Sequence, residues 1–70
     1  MGGLSYGIKL KNKDNMFLNN IGCSMGRIIH VNFVNKDNQT VIHFNSKDDA
    51  ESLAQRIAKQ RKLAVETVLM

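Results

Sequence analysis

From Tyr6 to Lys13 apolar and polar residues alternate, with Tyr6, Ile8 and Leu10 on one parity and Gly7, Lys9, Lys11 and Lys13 on the other. A period of two belongs to a strand with one face buried. Asn12-Lys13-Asp14-Asn15 follows, and Met16-Phe17-Leu18 resumes the apolar run. The same tetrapeptide returns at Asn35-Lys36-Asp37-Asn38, again between apolar segments. Asn and Asp tolerate left-handed backbone and bond to nearby amides. The repeat therefore predicts a hairpin turn used twice, in preference to a repeated ligand site.

Around the second copy, Ile29, Val31 and Phe33 alternate with Ile28, His30, Asn32 and Val34, and Thr40, Ile42 and Phe44 alternate with Val41, His43 and Asn45. A two-residue loop at Asp37-Asn38 would set Asn35 opposite Thr40, Phe33 opposite Ile42 and Val31 opposite Phe44. The large apolar residues then share one face, and the register closes without conflict. His30, Asn32, Val34, Val41, His43 and Asn45 would form a half-polar, solvated outer face. Between the two hairpins, Asn19 to Arg27 holds adjacent asparagines and two glycines, Gly22 and Gly26. That composition predicts the most irregular and mobile loop of the chain.

Past Ser46 the period changes. Ala50, Leu53, Ala54, Ile57 and Ala58 recur at helical spacing, a narrow apolar stripe suited to lie on a sheet. Ser46 with Asp49 three positions on is a helix cap. Asp48, Asp49 and Glu51 crowd the first turn and Arg56, Lys59, Arg61 and Lys62 the last, each sign favouring the helix dipole. From Lys62 to Met70, Ala64, Val65 and Val68 would continue the stripe, whereas Leu63, Val65, Thr67 and Leu69 alternate as a strand. The strand is favoured, since a helix running to the end would be unusually long for so small a domain. The expected fold is a single α+β domain spanning residues 1–70. It has an antiparallel sheet of about four strands in two hairpins, one amphipathic helix on one face, and a short C-terminal strand.

At 70 residues, 43% of them hydrophobic, the chain can bury a modest core. A domain this small hides only about 60% of the surface that its unfolded form exposes, so its stability margin is narrow. One cysteine, Cys23, forms no internal disulfide, and one Cys with two His falls short of a closed zinc site. Self-association is another route to stability, which keeps a homodimer among the expected partners. The start, Met1 to Tyr6, has neither the basic patch nor the apolar run of a signal peptide, and Tyr6 stands where a myristoylation start needs Ser or Thr. No apolar run approaches the roughly 18 residues that span a bilayer. A cytoplasmic protein with no membrane partner is the expectation.

Catalytic chemistry finds little to build on. Cys23 falls in a predicted loop with no base placed beside it, as a nucleophilic cysteine needs. In the register above His30 and His43 are diagonal neighbours that could share an ion with Cys23, but two histidines on a solvated strand face are commoner than a ligand pair. Gly22-Cys23-Ser24-Met25-Gly26-Arg27 lacks the spacing and the Gly-Lys-Ser/Thr ending of a phosphate-binding loop. No catalytic residue, metal site or cofactor is expected.

Binding fares better. The net charge is +4 and the sequence pI about 9.6, which suits an acidic protein surface or nucleic acid. Two basic surfaces are expected. Lys9, Lys11 and Lys13 on the outer face of the first strand form one, with Arg27 and Lys36 adding to it. Arg56, Lys59, Arg61 and Lys62 at the helix end form the other. Single-strand binders add exposed aromatics as stacking platforms, yet Tyr6, Phe17, Phe33 and Phe44 look committed mainly to the core.

The run Phe44-Asn45-Ser46-Lys47-Asp48-Asp49-Ala50-Glu51-Ser52-Leu53, a strand ending in Phe with a capped helix after it, resembles small phage and prophage proteins. Anti-CRISPR and host-takeover inhibitors built from a sheet and one or two helices are among them. The resemblance is architectural and carries over no binding residue. It implies a non-enzymatic protein that docks on a larger host protein or nucleoprotein complex and inhibits or modulates it. Direct binding of RNA or DNA through the basic surfaces is the alternative.

Overall fold

The computed structural model describes residues 4–70. Met1 to Gly3, read above for a leader or a myristoylation start, lie outside the described residues. The chain forms strand β1 (Tyr6–Leu10), β2 (Met16–Ser24), β3 (Arg27–Asn35), helix α1 (Lys47–Arg61) and strand β4 (Val65–Leu69). They make one antiparallel four-stranded sheet in the order β3-β2-β1-β4, with α1 across one face: an α+β arrangement with a C-terminal strand.

The helix begins where its cap is written. Ser46 is extended (φ −123°), and its Oγ accepts from the Asp49 amide at 3.5 Å. Ala50, Ala54 and Ile57 are buried, whereas Ala58, the last member of the expected stripe, is exposed. Lys62 ends the helix in the left-handed region (φ 55°), and that one residue turns the chain back into β4. The tail is thus a strand, paired with β1 from Tyr6–Leu69 to Leu10–Val65. Ile8, Leu18 and Ile57 are fully buried and join Ile28, Ala50, Ala54 and Val65 in one core between sheet and helix. Burying each of the Ile, Leu and Val side chains contributes roughly 1.5–3 kcal/mol, the main favourable term for a domain of this size.

The first Asn-Lys-Asp-Asn does join a hairpin, β1 to β2, paired at Lys9–Phe17. The second copy does not, and the register expected there is replaced. Phe33 faces Leu18 and Val31 faces Ile21, both on β2. β3 therefore pairs backwards along the chain, and the segment expected to be a mobile loop, Asn19 to Arg27, is the second half of β2, a two-residue turn at Met25-Gly26 and the first residue of β3. Both turn residues have positive φ (53° and 77°), the signature of the tight turn whose twist matches its strands.

After the second copy, residues 41–44 make no strand of their own. The Ile42 amide donates to the Leu18 carbonyl (3.0 Å) and Phe44 forms an isolated bridge with Tyr6. The segment fills the fork that opens where β1 and β2 part beyond their pairing at Lys9–Phe17. Ile42 and Phe44 pack on the core and His43 lines a hollow with Phe17, Lys36, Leu69 and Met70, but Val41, expected on a solvated outer face, is buried at 5% exposure.

Two register shifts bend the β2–β3 hairpin, one between Leu18 and Asn20, the other between Gly22 and Cys23 opposite Ile29. The second resets the parity of β3, so that Ile28 is buried and Ile29 is 58% exposed. The sequence pattern had placed Ile29 with Val31 and Phe33. Asn19, the extra residue of the first shift, is held by side chains: its Oδ1 accepts from Asn32 (2.7 Å) and its Nδ2 donates to Thr40 Oγ1 (3.1 Å). Thr40 in turn donates to Asn38 Oδ1 through both its hydroxyl and its amide. These asparagines hold a bulge and a crossing in place.

Candidate basic interface

The bent hairpin brings its tip against the second half of α1. Gln60 Oε1 accepts from the Ile28 amide at 2.7 Å, and an Nη of Arg56 donates to the Gly26 carbonyl at 3.2 Å. Residues three and four apart share a helix flank, so Arg56, Lys59 and Gln60 form a rim over the edge of β3. A cleft of about 590 Å³ between rim and strand is lined by Arg27, Ile28, Ile29, Lys59, Gln60 and Arg61. Arg27, Arg56, Lys59 and Arg61 are all exposed. The ion pairs among the described residues are Lys9–Glu66, Lys9–Asp14 and Lys47–Glu51, so none of these four cations is neutralised by a described carboxylate.

Two apolar side chains accompany them. Met25 at the turn is 99% exposed and Ile29 is 58% exposed. Met25 also holds a left-handed backbone, which costs a non-glycine residue about 1 kcal/mol. The interface is therefore cationic with an apolar crest, beside an outer strand.

The other expected basic surface does not form as read. Lys9 lies on the outer face, but its side chain is only 12% exposed, and Nζ sits 2.8 Å from Glu66 and 3.7 Å from Asp14. The hydrogen bond and ion pair with Glu66 hold Lys9 above its usual ammonium value against desolvation. The same bond from Lys9 holds the Glu66 carboxyl below its usual value. Lys9 is thus a structural cation. Lys11 and Lys13 are exposed beyond the end of β1, and Lys11 lines a hollow shared with Glu51 and Glu66. Arg27 belongs to the other cluster, at the hairpin tip. Lys36 adjoins the first turn, its amide donating to the Asn15 carbonyl at 2.8 Å. The two copies of the tetrapeptide hence sit side by side, with Lys13 and Lys36 near Asp14 and Asp37 in a patch of mixed sign. Lys62, the helix cap, is exposed next to Arg61.

His30 lies opposite Gly22 on the hairpin, and His43 lies in the hollow under Met70, so the diagonal pair expected from the sequence is not made. Cys23 is exposed opposite Ile28. Among the described residues no three His, Cys, Asp or Glu side chains gather as metal ligands. No helix among them is long and apolar enough to cross a membrane. The aromatics are spent on packing: Phe17 is buried, and Tyr6, Phe33 and Phe44 lean on the core. Sequence reading missed Met25 and Ile29; a glycine preceded by a bulky residue between two β-rich runs was the available signal for the turn.

Compared with protein-family models, with curated proteins and with solved structures, the chain matches none.

Proposed function

We propose that this chain is a non-enzymatic binding protein that docks on a larger host protein or nucleoprotein complex and inhibits or modulates it there, in the manner of small phage inhibitors. Its working surface in this reading is the hairpin tip with the basic flank of α1. The observation that carries it is Met25, an apolar side chain 99% exposed on a turn where Asn or Gly would be less strained, beside Arg27 and Arg56. Strain kept at an exposed position is a pointer to function, and Met and Arg are both enriched in protein interfaces. The rim and Ile29 extend the face around Met25 toward the roughly 800 Å² per partner of a standard interface.

Direct nucleic-acid binding is the second reading, favoured by the four unneutralised cations. Against it, no Tyr or Phe among the described residues is fully exposed as a platform on which bases could stack. The two separate by capture from host lysate with and without nuclease. A protein retained after nuclease, and lost when Arg56 and Lys59 are changed to Glu, supports docking. Retention that vanishes with nuclease, or a steep fall of affinity for purified RNA or DNA with salt, supports the second reading and overturns the first.

A further inference from the structure

β3 is an outer strand, so alternate amides and carbonyls along it point away from the sheet. Both of its ends are closed. The Ile28 amide is taken by Gln60 at one end, and the Asn35 carbonyl accepts from the Asn38 amide (2.9 Å) at the other. Residues 29–34 are left between these stops, with no such plug among the described hydrogen bonds. At about 3.3 Å per residue this stretch is roughly 20 Å long, room for a strand of five or six residues.

We infer that this open stretch of β3 takes an added strand from the partner, an extended peptide with acidic side chains at every second position. The inference rests on the docking reading above and supplies its mode and the chemistry of its ligand. Backbone pairing gives affinity in strand addition, and alternate side chains give specificity. Every second side chain of an added strand would rise on the α1 side of the sheet, and those at the Ile29 end would reach the cleft that Arg27, Lys59 and Arg61 line without a described carboxylate to meet them. Ile29, exposed at the same edge, offers an apolar contact at the tip. A second copy of this chain is a poor occupant, because its β3, Arg27–Asn35, carries no carboxylate to meet these cations. The opposite edge, β4, has five residues, and the hollow between it and α1 is lined by Glu51 and Glu66 as well as Lys11, so it selects no sign of charge.

The test uses the full chain, labelled with ¹⁵N, and a blocked ten-residue peptide of alternating Glu and Val. Its controls are the Lys-for-Glu peptide, the acidic peptide with alternate backbone amides N-methylated, and a single-stranded oligonucleotide of ten residues. The expected result is that the acidic peptide moves the amide signals of Ile29–Val34, with binding weakened at least about tenfold by K59E/R61E, a change worth about 1.4 kcal/mol. N-methylation and the Lys peptide should abolish it. K59E/R61E alters exposed positions, and its folding is checked by the unperturbed core signals of Ile8 and Leu18. Equal binding of the N-methylated peptide, with β3 signals unmoved, would overturn strand addition and leave charge-guided docking standing. Tighter binding of the oligonucleotide than of the acidic peptide would overturn both readings. No binding of any peptide would overturn the strand mode alone, if nuclease-resistant capture persists.

Discussion

The β2–β3 hairpin ends in two ways, and the difference is what the proposed working surface rests on. At one end lie the paired Asn-Lys-Asp-Asn segments, rich in turn-forming residues. In the second copy the asparagines are turned inward on the backbone: Asn35 Oδ1 accepts from the Asp37 amide and Asn38 Oδ1 from the Thr40 amide. Lysines and aspartates alternate there, so the field is weak. At the other end the turn is Met25-Gly26, strained at Met25 and with Met25 nearly fully exposed. There Arg27, Arg56, Lys59 and Arg61 meet without a described carboxylate. One end is built to hold the chain together; the other spends stability on an exposed face.

That contrast can be broken from beneath. Ile28, 4% exposed, pins the tip to the core, and Ile28→Ala is expected to cost about 2–5 kcal/mol, a large share of what so small a domain has. Urea unfolding would show it. A loss under about 1 kcal/mol would mean that the tip is not anchored as described.

Next in size is Asn38→Ala at the quiet end. It removes the acceptor used by both the amide and the hydroxyl of Thr40, and about 1 kcal/mol of stability should go with it. Partner capture should be unchanged. A capture defect with stability intact would move the working surface to this end.

Met25→Asn sharpens the comparison in the opposite direction. Asn accepts the left-handed backbone, so this variant should be more stable by roughly 0.5–1 kcal/mol and yet capture less partner. A variant that is both more stable and fully active would remove the case for Met25 as a contact.

The smallest effect belongs to the Lys9–Glu66 pair. Glu66 is depressed in the folded state, so its contribution is present above the ordinary value of 4.5 and is lost as pH falls through the lower folded value. Lys9 is raised, so its contribution is whole below 10.5 and lost as pH rises through the higher folded value. Glu66→Gln should flatten the acid limb of a pH–stability curve and leave neutral-pH binding alone. An unaltered acid limb would show that the pair contributes nothing.

Much of this fold was legible in the residues. Ser46 and the stripe through Ala50, Ala54 and Ile57 specify α1 by local chemistry, and the alternation of Tyr6, Ile8 and Leu10 specifies β1. The β2–β3 pairing was not, for two physical reasons. Asn35–Asn38 offers better turn chemistry than Ser24–Arg27, so local preference points to the wrong hairpin, and only burial of Leu18 against Phe33 and Ile21 against Val31 reverses it. The bulge at Ile29 then breaks the period of two, which no count of alternating residues detects. The helix half of the basic cluster was visible in the spacing of Arg56 and Lys59. Arg27 joins it only because the hairpin bends, and Lys9 leaves the other group only because β4 sets Glu66 beside it.

Matched charge reversal at the two ends tests the central claim most directly. Partner capture from nuclease-treated lysate would be compared for R56E/K59E at the tip and K13E/K36E at the repeated turns, two exposed pairs carrying the same change in net charge. The account predicts that the first variant loses the partner and the second keeps it. Equal loss would reduce the interface to net charge, and loss by K13E/K36E alone would place it at the wrong end of the hairpin.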